Sequence, residues 1–221
     1  MIVTIDGPAG SGKSTAARKL ADRLGVAYLD TGAMYRAVTL AAIRAGIDLN
    51  DADAVIPIAQ SCRIRLAGGR VVLNGDDVTA EIRSVTVTAA IKHVANVPGV
   101  RAELVASQRQ FAAEHAAGLV TEGRDQGSVV FPDADFKFFL NASPEVRAAR
   151  RHDELTRAGK PSSLPDVRAQ IDARDRSDQS RAVAPLRVPE GAVELDTSHM
   201  TIDQVVDWLA DRVTGRGAGH G

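Results

Sequence analysis

The residues with the clearest chemical meaning form a glycine-rich segment near the start of the chain. Gly7-Pro8-Ala9-Gly10-Ser11-Gly12-Lys13-Ser14 fits the pattern G-x-x-x-x-G-K-[ST], and Thr15 follows it. In such a loop the backbone N–H groups face phosphate oxygens, the lysine contacts the β- and γ-phosphates, and the serine hydroxyl binds Mg²⁺. Because an apolar strand pattern precedes the loop and a helical pattern follows it, the sequence predicts a site for a nucleoside triphosphate with Mg²⁺.

Two further polar groups follow apolar strand patterns. Asp30-Thr31-Gly-Ala-Met-Tyr35-Arg36 comes after the second such pattern, and Glu122-Gly-Arg124-Asp125 comes after a later one. The carboxyl ends of strands in open parallel sheets are where ligands bind, and an arginine fork suits phosphate while a carboxylate suits the polar edge of a base. The sequence therefore predicts binding roles for Arg36, Arg124 and Asp125, with a structural ion pair as the alternative for the last two.

An arginine-rich region lies further along the chain. Ten of the 27 basic residues fall between residues 147 and 187, against six acidic ones. Two sets share a helical face by their spacing: Arg147, Arg150 and Arg151, and Arg174, Asp178 and Arg181. A migrating phosphoryl group needs such a positive clamp. The alternatives are a solvated, salt-bridged helix surface and, for the 22 arginines against 5 lysines, a GC-rich genome.

The absence of other nucleotide-binding motifs restricts the class of reaction in which the triphosphate takes part. A guanine-binding N-K-x-D is absent, and the D-x-x-G from Asp22 to Gly25 ends the first helical pattern, so a GTPase switch is not predicted. The segment Leu119-Val-Thr-Glu122 offers a single acid, whereas a motor or AAA-type ATPase is expected to carry paired acids and more chain. The pattern favours transfer of phosphate to a small acceptor.

Composition limits the possible partners and compartment. The chain has 221 residues, 44% of them apolar, with 27 basic against 28 acidic residues, so no global charge favours nucleic acid or an anionic membrane. No apolar run approaches the roughly 18 residues of a membrane span, and the N-terminus lacks the basic region of a signal peptide. Cys62 is the single cysteine, which excludes an internal disulfide. We expect a soluble cytoplasmic protein with no nucleic-acid or membrane partner.

The elements that must position these residues alternate between strand and helix. Short apolar strands joined by helices predict an α/β fold around a parallel sheet buried on both faces. Strands are predicted at 2–5, 26–29, 118–122, 136–140 and 193–196, and helices at 13–24, 31–45, 100–117, 144–157, 167–180 and 202–213. A small antiparallel element is predicted as an insertion within about residues 58–93. Residues 215–221 are predicted to be a disordered tail.

Taken together, these segments resemble the bacterial cytidylate kinases, which belong to the nucleoside monophosphate (NMP) kinase family. The resemblance runs from Ile2 to about Val213. It is most specific in the segments 5–15, 29–36, 73–78, 81–83, 122–132 and 181–186. It implies a P-loop NTPase-type parallel sheet flanked by helices, with an inserted NMP-binding domain that contains the small antiparallel element, and a short lid. That insertion favours CMP, so the implied reaction is Mg-dependent transfer from ATP to CMP or dCMP.

The resemblance also implies a domain division and a set of site residues. Its core comprises residues 1–35, 94–146 and 167–214, its NMP-binding domain 36–93 and its lid 147–166. ATP is expected at Gly7, Pro8, Ala9, Gly10, Ser11, Gly12, Lys13, Ser14 and Thr15, with Mg²⁺ at Ser14 and catalytic roles for Lys13 and the lid residues Arg150 and Arg151. The residues expected to bind CMP are Thr31, Tyr35 and Arg36 for the nucleotide as a whole, Arg101 and Asp125 for cytosine, Arg174 and Asp178 for the sugar, and Arg124 and Arg181 for the phosphate.

Two other functions stay open at this point. The chain could be a P-loop kinase for another acceptor, such as UMP or a small metabolite, or a non-catalytic NTP-binding module. The family pattern is not matched at Lys92, where a serine that contacts the base is common, at Ser177, or at Glu122, where an aspartate is common. The even charge and the lack of a heptad pattern favour a monomer.

Overall fold

The computed structural model describes residues 1–157, 159–160, 162–181 and 183–215. The chain divides into two compact units, one formed by Met1–Tyr28 with the chain from His115 onward, the other by Leu29–Glu114. The tail predicted to be disordered lies, apart from Gly215, outside the described residues. Within the described ranges, no helix has the length and the apolar run needed to cross a membrane.

Every strand and helix that the sequence predicts is present, and the structure adds two helices, at Ala52–Ser61 and Val85–Ala95. The strands are β1 (Ile2–Asp6), β2 (Ala27–Asp30), β3 (Ile64–Ala67), β4 (Arg70–Leu73), β5 (Asp76–Asp77), β6 (Leu119–Gly123), β7 (Phe136–Asn141) and β8 (Val193–Asp196). The helices are α1 (Lys13–Leu24), α2 (Thr31–Arg44), α3 (Ala52–Ser61), α4 (Val85–Ala95), α5 (Pro98–Glu114), α6 (Pro144–Arg157), α7 (Leu164–Gln179) and α8 (Ile202–Thr214). A 3₁₀ turn at Glu81–Arg83 and a π-helical turn at Gln126–Val130 complete the list.

A five-stranded sheet in the order β2-β6-β1-β7-β8 confirms the predicted α/β fold. β1 pairs in parallel with β6 on one side and with β7 on the other, and β7 pairs in parallel with β8. The central strands β1 and β6 are buried almost throughout, and Val3, Ile5 and Leu140 are fully buried, whereas the edge strand β8 is mostly exposed. The strand order reverses at β1, which places the loop after β1 at the position where open α/β sheets bind ligands.

Helices α1 and α8 pack together on this sheet. Ala16, Ala17 and Leu20 of α1 share one buried cluster with apolar residues of α8 and of the strands. Trp208 of α8 meets Phe138 of β7 edge-on, with ring centroids 5.9 Å apart. This core anchors the first turn of α1, which carries the lysine and serine of the glycine-rich loop.

The second unit contains the predicted antiparallel element. The order β3-β4-β5 is antiparallel throughout, and Ile64 of β3 lies opposite Leu73 of β4. The inner face of this sheet packs with α2, where Ala33, Ala37 and Leu40 belong to the same buried cluster. The sheet therefore rests on the helix that carries Tyr35 and Arg36.

Two helices of the second unit, α3 and α4, are not predicted from the sequence. α4 reads Val-Thr-Val-Thr at its start, an alternation of β-branched residues that favours strands, and α3 contains Pro57. Tertiary packing and caps override these preferences, because Val87 and Val94 of α4 are buried and the side chains of Asp51 and Ser84 cap the two helices.

Candidate active site

The glycine-rich loop joins β1 to α1 and has the backbone that its sequence predicts. Gly7 and Gly10 adopt φ values of 152° and 76°. A Cβ on Gly7 would lie 2.1 Å from the carbonyl oxygen of Leu140, and one on Gly10 would lie 3.0 Å from that of Arg147. Both positions therefore favour glycine for conformation, and Gly7 also requires it for space.

Lys13, the first residue of α1, is buried and contacts its own loop. Its Nζ donates to the carbonyl oxygen of Pro8 at 3.1 Å, and the side chain is about 5% exposed. Burial and, to a lesser extent, the nearby Arg124 together lower the pKa of Lys13 to about 7, against the opposite effect of Glu122. An ammonium group in such a place gains most from a ligand that brings negative charge.

This pKa leads to a prediction about nucleotide binding. Above pH 7 the Lys13 amine of the free protein is largely neutral, whereas a bound triphosphate favours the charged amine, so binding takes up a proton. We expect the affinity for ATP to fall as the pH rises from 7 to 9, by up to about tenfold per pH unit. Calorimetric titration at pH 8 in two buffers of different ionisation enthalpy measures the uptake directly, and binding without proton uptake would contradict the assignment.

The next residue, Ser14, faces a carboxylate. The Ser14 hydroxyl donates to Oε1 of Glu122 at 2.8 Å, and Glu122 is buried at the carboxyl end of β6. Hydroxyl and carboxylate oxygens are the type of ligand that Mg²⁺ prefers, either directly or through a water molecule. The pair therefore fits a magnesium ion whose other ligands are phosphate oxygens. Glu122 is not among the site residues predicted from the sequence, although its place near the end of an apolar strand pattern is a signal for such a role.

Asp6, at the end of β1, organises the segment after β6. Its two carboxylate oxygens accept from the backbone N–H of Gln126 at 2.9 Å and of Gly127 at 2.8 Å. Burial raises the pKa of Asp6 to about 7, although these two N–H groups lower it. Asp6 thereby connects the glycine-rich loop to the segment that begins with Arg124 and Asp125.

That segment contains the π-helical turn. The N–H of Val130 donates to the carbonyl oxygen of Asp125 at 3.2 Å, and that of Phe131 donates to Gln126 at 2.7 Å, both five residues back. Asp125, at the head of the turn, is about 4% exposed. Turns of this type occur often at functional sites because they redirect one side chain out of a regular element.

Three of the predicted arginines meet at one buried carboxylate. Asp178 accepts from Arg124 Nε at 2.8 Å and from Arg181 at 2.5 Å, and Arg174 Nε lies 4.0 Å away. Burial would raise the pKa of Asp178, but the three guanidinium groups outweigh it and hold the pKa below its usual value. Three guanidinium groups therefore gather around this carboxylate, and such a concentration of charged donors is suited to an anion.

Arg150 and Arg151 of α6 have different hydrogen-bond partners. Arg150 donates to the hydroxyl and carbonyl oxygens of Thr197 at 3.0 and 2.6 Å and approaches the carbonyl oxygen of Ser11 at 3.5 Å. Arg151 forms an ion pair with Glu154 at 2.7 Å on a more exposed face. Arg150 therefore contacts the glycine-rich loop, whereas the side chain of Arg151 lies along its own helix.

The predicted site residues of the second unit cluster at the start of α2. Thr31 begins this helix, and the guanidinium of Arg101 lies 5.5 Å from the centre of the Tyr35 ring. Arg36 donates to the hydroxyl of Thr88 at 2.7 Å and to the carbonyl oxygen of Ile82 at 3.3 Å. Arg101 also donates to the carbonyl oxygen of Ala95 at 3.2 Å, which fixes its guanidinium.

Lys92, the departure from the family pattern, lies on the last turn of α4. Its side chain is exposed and, with His93 and the segment Ile47–Asn50, borders an open groove of about 500 Å³. Asp48 also borders this groove, so its charge is mixed.

A parallel sheet whose central strand leads into a lysine-bearing glycine-rich loop, with an arginine cluster in the same unit, defines the class of P-loop phosphotransferases. The profile of the family described as cytidylate kinase matches residues 3–214. A cytidylate kinase from Mycobacterium avium (strain 104) is 50% identical over 220 residues, which are 98% of this chain and 96% of that protein. The chain belongs to the cytidylate kinase family.

Other relatives agree with this assignment. A cytidylate kinase from Caldanaerobacter subterraneus subsp. tengcongensis is 46% identical over 211 residues, which cover 96% of this chain and 93% of that protein. Among solved structures, an uncharacterized protein from Eubacterium ventriosum aligns with a TM-score of 0.55 at 11% identity, over 98% of this chain and 99% of that one. The structural likeness shows the shared fold, and the sequence likeness shows the family.

Proposed function

We propose that this protein transfers the γ-phosphoryl group of ATP to CMP or dCMP and releases ADP with CDP or dCDP. The observation that carries the proposal is the occurrence, in one unit, of the lysine-bearing loop and of the arginine cluster on Asp178, in a chain of the cytidylate kinase family. A P-loop kinase for another acceptor and a non-catalytic NTP-binding module remain the rivals, and no feature of the described residues favours either.

On the donor side, residues Gly7 to Thr15 bind the ATP phosphates. The backbone N–H groups of the loop and of the first turn of α1 face the phosphate oxygens, and Lys13 exchanges its bond to Pro8 for the β- and γ-phosphates. Ser14, with Glu122 behind it, holds Mg²⁺, which neutralises phosphate charge when it is bound. Lys13 and Arg150 stay close to the loop and offset the charge that spreads over the transferring group.

On the acceptor side, the roles follow the family resemblance. Arg124 and Arg181 bind the CMP phosphate, and Arg174 and Asp178 bind the sugar. Asp125 and Arg101 bind the cytosine, and Thr31, Tyr35 and Arg36 contact the same nucleotide. The position of Arg124 and Arg181 on one buried carboxylate supports their assignment, because that carboxylate fixes both guanidinium groups before the substrate arrives.

The larger arrangement is also proposed from the resemblance. Residues 1–35, 94–146 and 167–214 form the core, 36–93 the NMP-binding domain and 147–166 a lid that includes Arg150 and Arg151; residues 158 and 161 of this lid lie outside the described residues. Closure of the lid excludes water, so that ATP is not hydrolysed. We propose a monomer that works in the cytoplasm, in keeping with the single cysteine and the balanced charge.

The experiment that tests the function is an acceptor panel. ADP release from Mg-ATP is measured with CMP, dCMP, UMP, AMP and GMP offered separately. Turnover with CMP and dCMP that exceeds the others by at least about a hundredfold is expected, because a base-specific hydrogen-bonding site strongly rejects bases that leave its polar groups unpaired. Fast turnover with UMP alone would support the kinase rival, and no turnover with any acceptor would support the binding module.

Asp125→Ala tests the base-binding role. We expect KM for CMP to rise about 10- to 100-fold while KM for ATP stays within about twofold, since a hydrogen bond to a charged group contributes roughly 1.5–3 kcal/mol. Steady-state kinetics with each substrate varied in turn measure both constants. Asp133→Ala is the matched control, because Asp133 is an exposed aspartate in the same connection between β6 and β7. An unchanged KM for CMP in Asp125→Ala would contradict the role.

A further inference from the structure

A buried ion pair lies against the outer side of the glycine-rich loop. Arg147 of α6 and Asp175 of α7 are in direct contact through NH1 and Oδ2, and their side chains are only 7% and 12% exposed. Neither residue is among those that the family resemblance places at a substrate, and Arg147, the first residue of the proposed lid, is held to the core by its contacts. Burial of two charges is costly unless their remaining hydrogen-bonding groups are also satisfied, so their other partners show what the pair holds.

Those partners are groups of the loop and of the strand beside it. Oδ1 of Asp175 accepts from the backbone N–H of Ala9 at 3.4 Å, and NH1 of Arg147 donates to the carbonyl oxygen of the same Ala9 at 3.1 Å. Nε of Arg147 donates to the carbonyl oxygen of Ala142 at 3.1 Å, one residue beyond β7. The pair thus holds both polar groups of one loop residue and fixes them to the sheet.

The loop also rests on the backbone of α6. A Cβ on Gly10 would lie 3.0 Å from the carbonyl oxygen of Arg147 and 3.1 Å from its Cβ. A side chain at this position would therefore push the loop and α6 apart by a few tenths of an ångström. The contact at Gly10 is made by backbone atoms and Cβ, whereas the contacts at Ala9 are hydrogen bonds, and both hold the glycine-rich loop against α6.

The pair is also connected to the arginine cluster through α7. Asp175 and Asp178 are three residues apart, so they lie one turn apart on the same face of this helix, and both are buried. Asp175 holds the loop, while Asp178 holds Arg124 and Arg181. One helical turn therefore fixes the position of the loop relative to the cluster.

We propose that Arg147 and Asp175 are positioning residues. They fix the glycine-rich loop at the distance from Arg124 and Arg181 that phosphoryl transfer requires. This inference rests on the proposed phosphoryl transfer. Misplacing a reacting group by about 1 Å can cost on the order of a hundredfold in rate, so a pair that fixes this distance affects kcat without touching either substrate.

The test separates positioning from simple stability. Replacing a buried ion pair by apolar residues of similar volume is often neutral or stabilising. Arg147→Met combined with Asp175→Leu therefore preserves the apolar volume and removes both hydrogen bonds that the pair makes to Ala9. We expect this variant to unfold within a few degrees of the parent, to bind Mg-ATP about tenfold more weakly and to lose about tenfold or more in kcat with saturating CMP. Arg168→Met with Asp172→Leu is the matched control, a half-exposed pair on α7.

A stable Arg147→Met/Asp175→Leu protein with unchanged kcat and unchanged ATP affinity would overturn the proposal. If that protein does not fold, Arg147→Lys replaces it. A lysine keeps the charge opposite Asp175, but its single amine cannot reproduce the fixed fork that reaches Ala9 and Ala142 together. A parental kcat in Arg147→Lys would equally overturn the proposal.

ATP affinity is measured without acceptor, by binding of a fluorescent ATP analogue. It therefore reports on the loop even if CMP proves not to be the substrate. Absence of turnover with every acceptor would refute the proposed function. Unchanged ATP affinity in both Arg147 variants would refute the claim that Arg147 and Asp175 hold the loop in place.

Discussion

Lys13→Ala is expected to lower kcat with Mg-ATP and CMP by on the order of 10³, with folding retained. Lys13 is the first residue of α1, and its amine already points back over the loop to the carbonyl oxygen of Pro8. Removing one charged donor aimed at the transition state costs about 10²–10³ in rate, and cations on the transferring phosphoryl group lie at the upper end of such effects. Product formation at saturating concentrations of both nucleotides measures the loss.

The same substitution should not weaken the fold. Burial of the Lys13 amine lowers its pKa to about 7, which means that the folded state disfavours its charge, so an alanine removes an unfavourable burial. We expect the unfolding midpoint of Lys13→Ala to equal or exceed that of the parent. Lys19→Ala is the matched control, since Lys19 lies on the same helix, is half-exposed and pairs with Asp203. Parental kcat in Lys13→Ala would refute the assignment of the loop.

Asp178→Asn is expected to have the second-largest effect, on activity and stability together. The carboxylate compensates Arg124 and Arg181 in a buried setting, and removing one partner of a buried ion pair typically costs about 3–5 kcal/mol of stability. Without it the guanidinium groups repel one another and lose their fixed positions. We expect kcat/KM for CMP to fall about 10²–10³-fold and the free energy of unfolding to fall by about 3–5 kcal/mol.

Denaturant unfolding and CMP kinetics measure the two effects of Asp178→Asn. Because the three arginines hold the pKa of Asp178 below its unfolded value, its stabilising contribution is complete at neutral pH and is lost only as the pH falls through that lowered pKa. The variant should therefore lose part of the acid sensitivity of the parent. Asp172→Asn on the same helix, with a half-exposed side chain, is the control. Parental stability and kcat/KM in Asp178→Asn would show that the cluster does not depend on its carboxylate.

Much of this architecture could be predicted from the sequence because local signals agree with the fold. The helix at Lys13–Leu24 has the same bounds in prediction and structure, since the loop glycines precede it and Gly25 caps its end. The apolar strands predicted the buried sheet, and the Gly68-Gly69 turn predicted the antiparallel element. α7 begins earlier than its apolar pattern predicts, because Ser163 caps it and Pro165 suits its first turn.

The site is harder to predict because its support comes from distant residues. Glu122, Asp6 and Asp175 are single acids in sequence, and only the fold places each beside the loop or its flanking segment. The spacing of Arg147, Arg150 and Arg151 predicts one shared face, yet the three side chains have different partners. Arg147 and Arg150 find their partners in other elements, about which helical spacing carries no information, whereas Arg151 pairs with Glu154 of its own helix.

The division of the chain has a consequence for synthesis on the ribosome. The unit Leu29–Glu114 is continuous in sequence, so all of its contacts can form once that segment has emerged. The other unit is interrupted: Ile2 of the central strand pairs with Leu119, and β7 and β8 come later still. During most of translation β1 is therefore an apolar strand without partners, a species that is prone to aggregation. The strand that leads into the glycine-rich loop stays without its β6 partner until residue 123 has been synthesised.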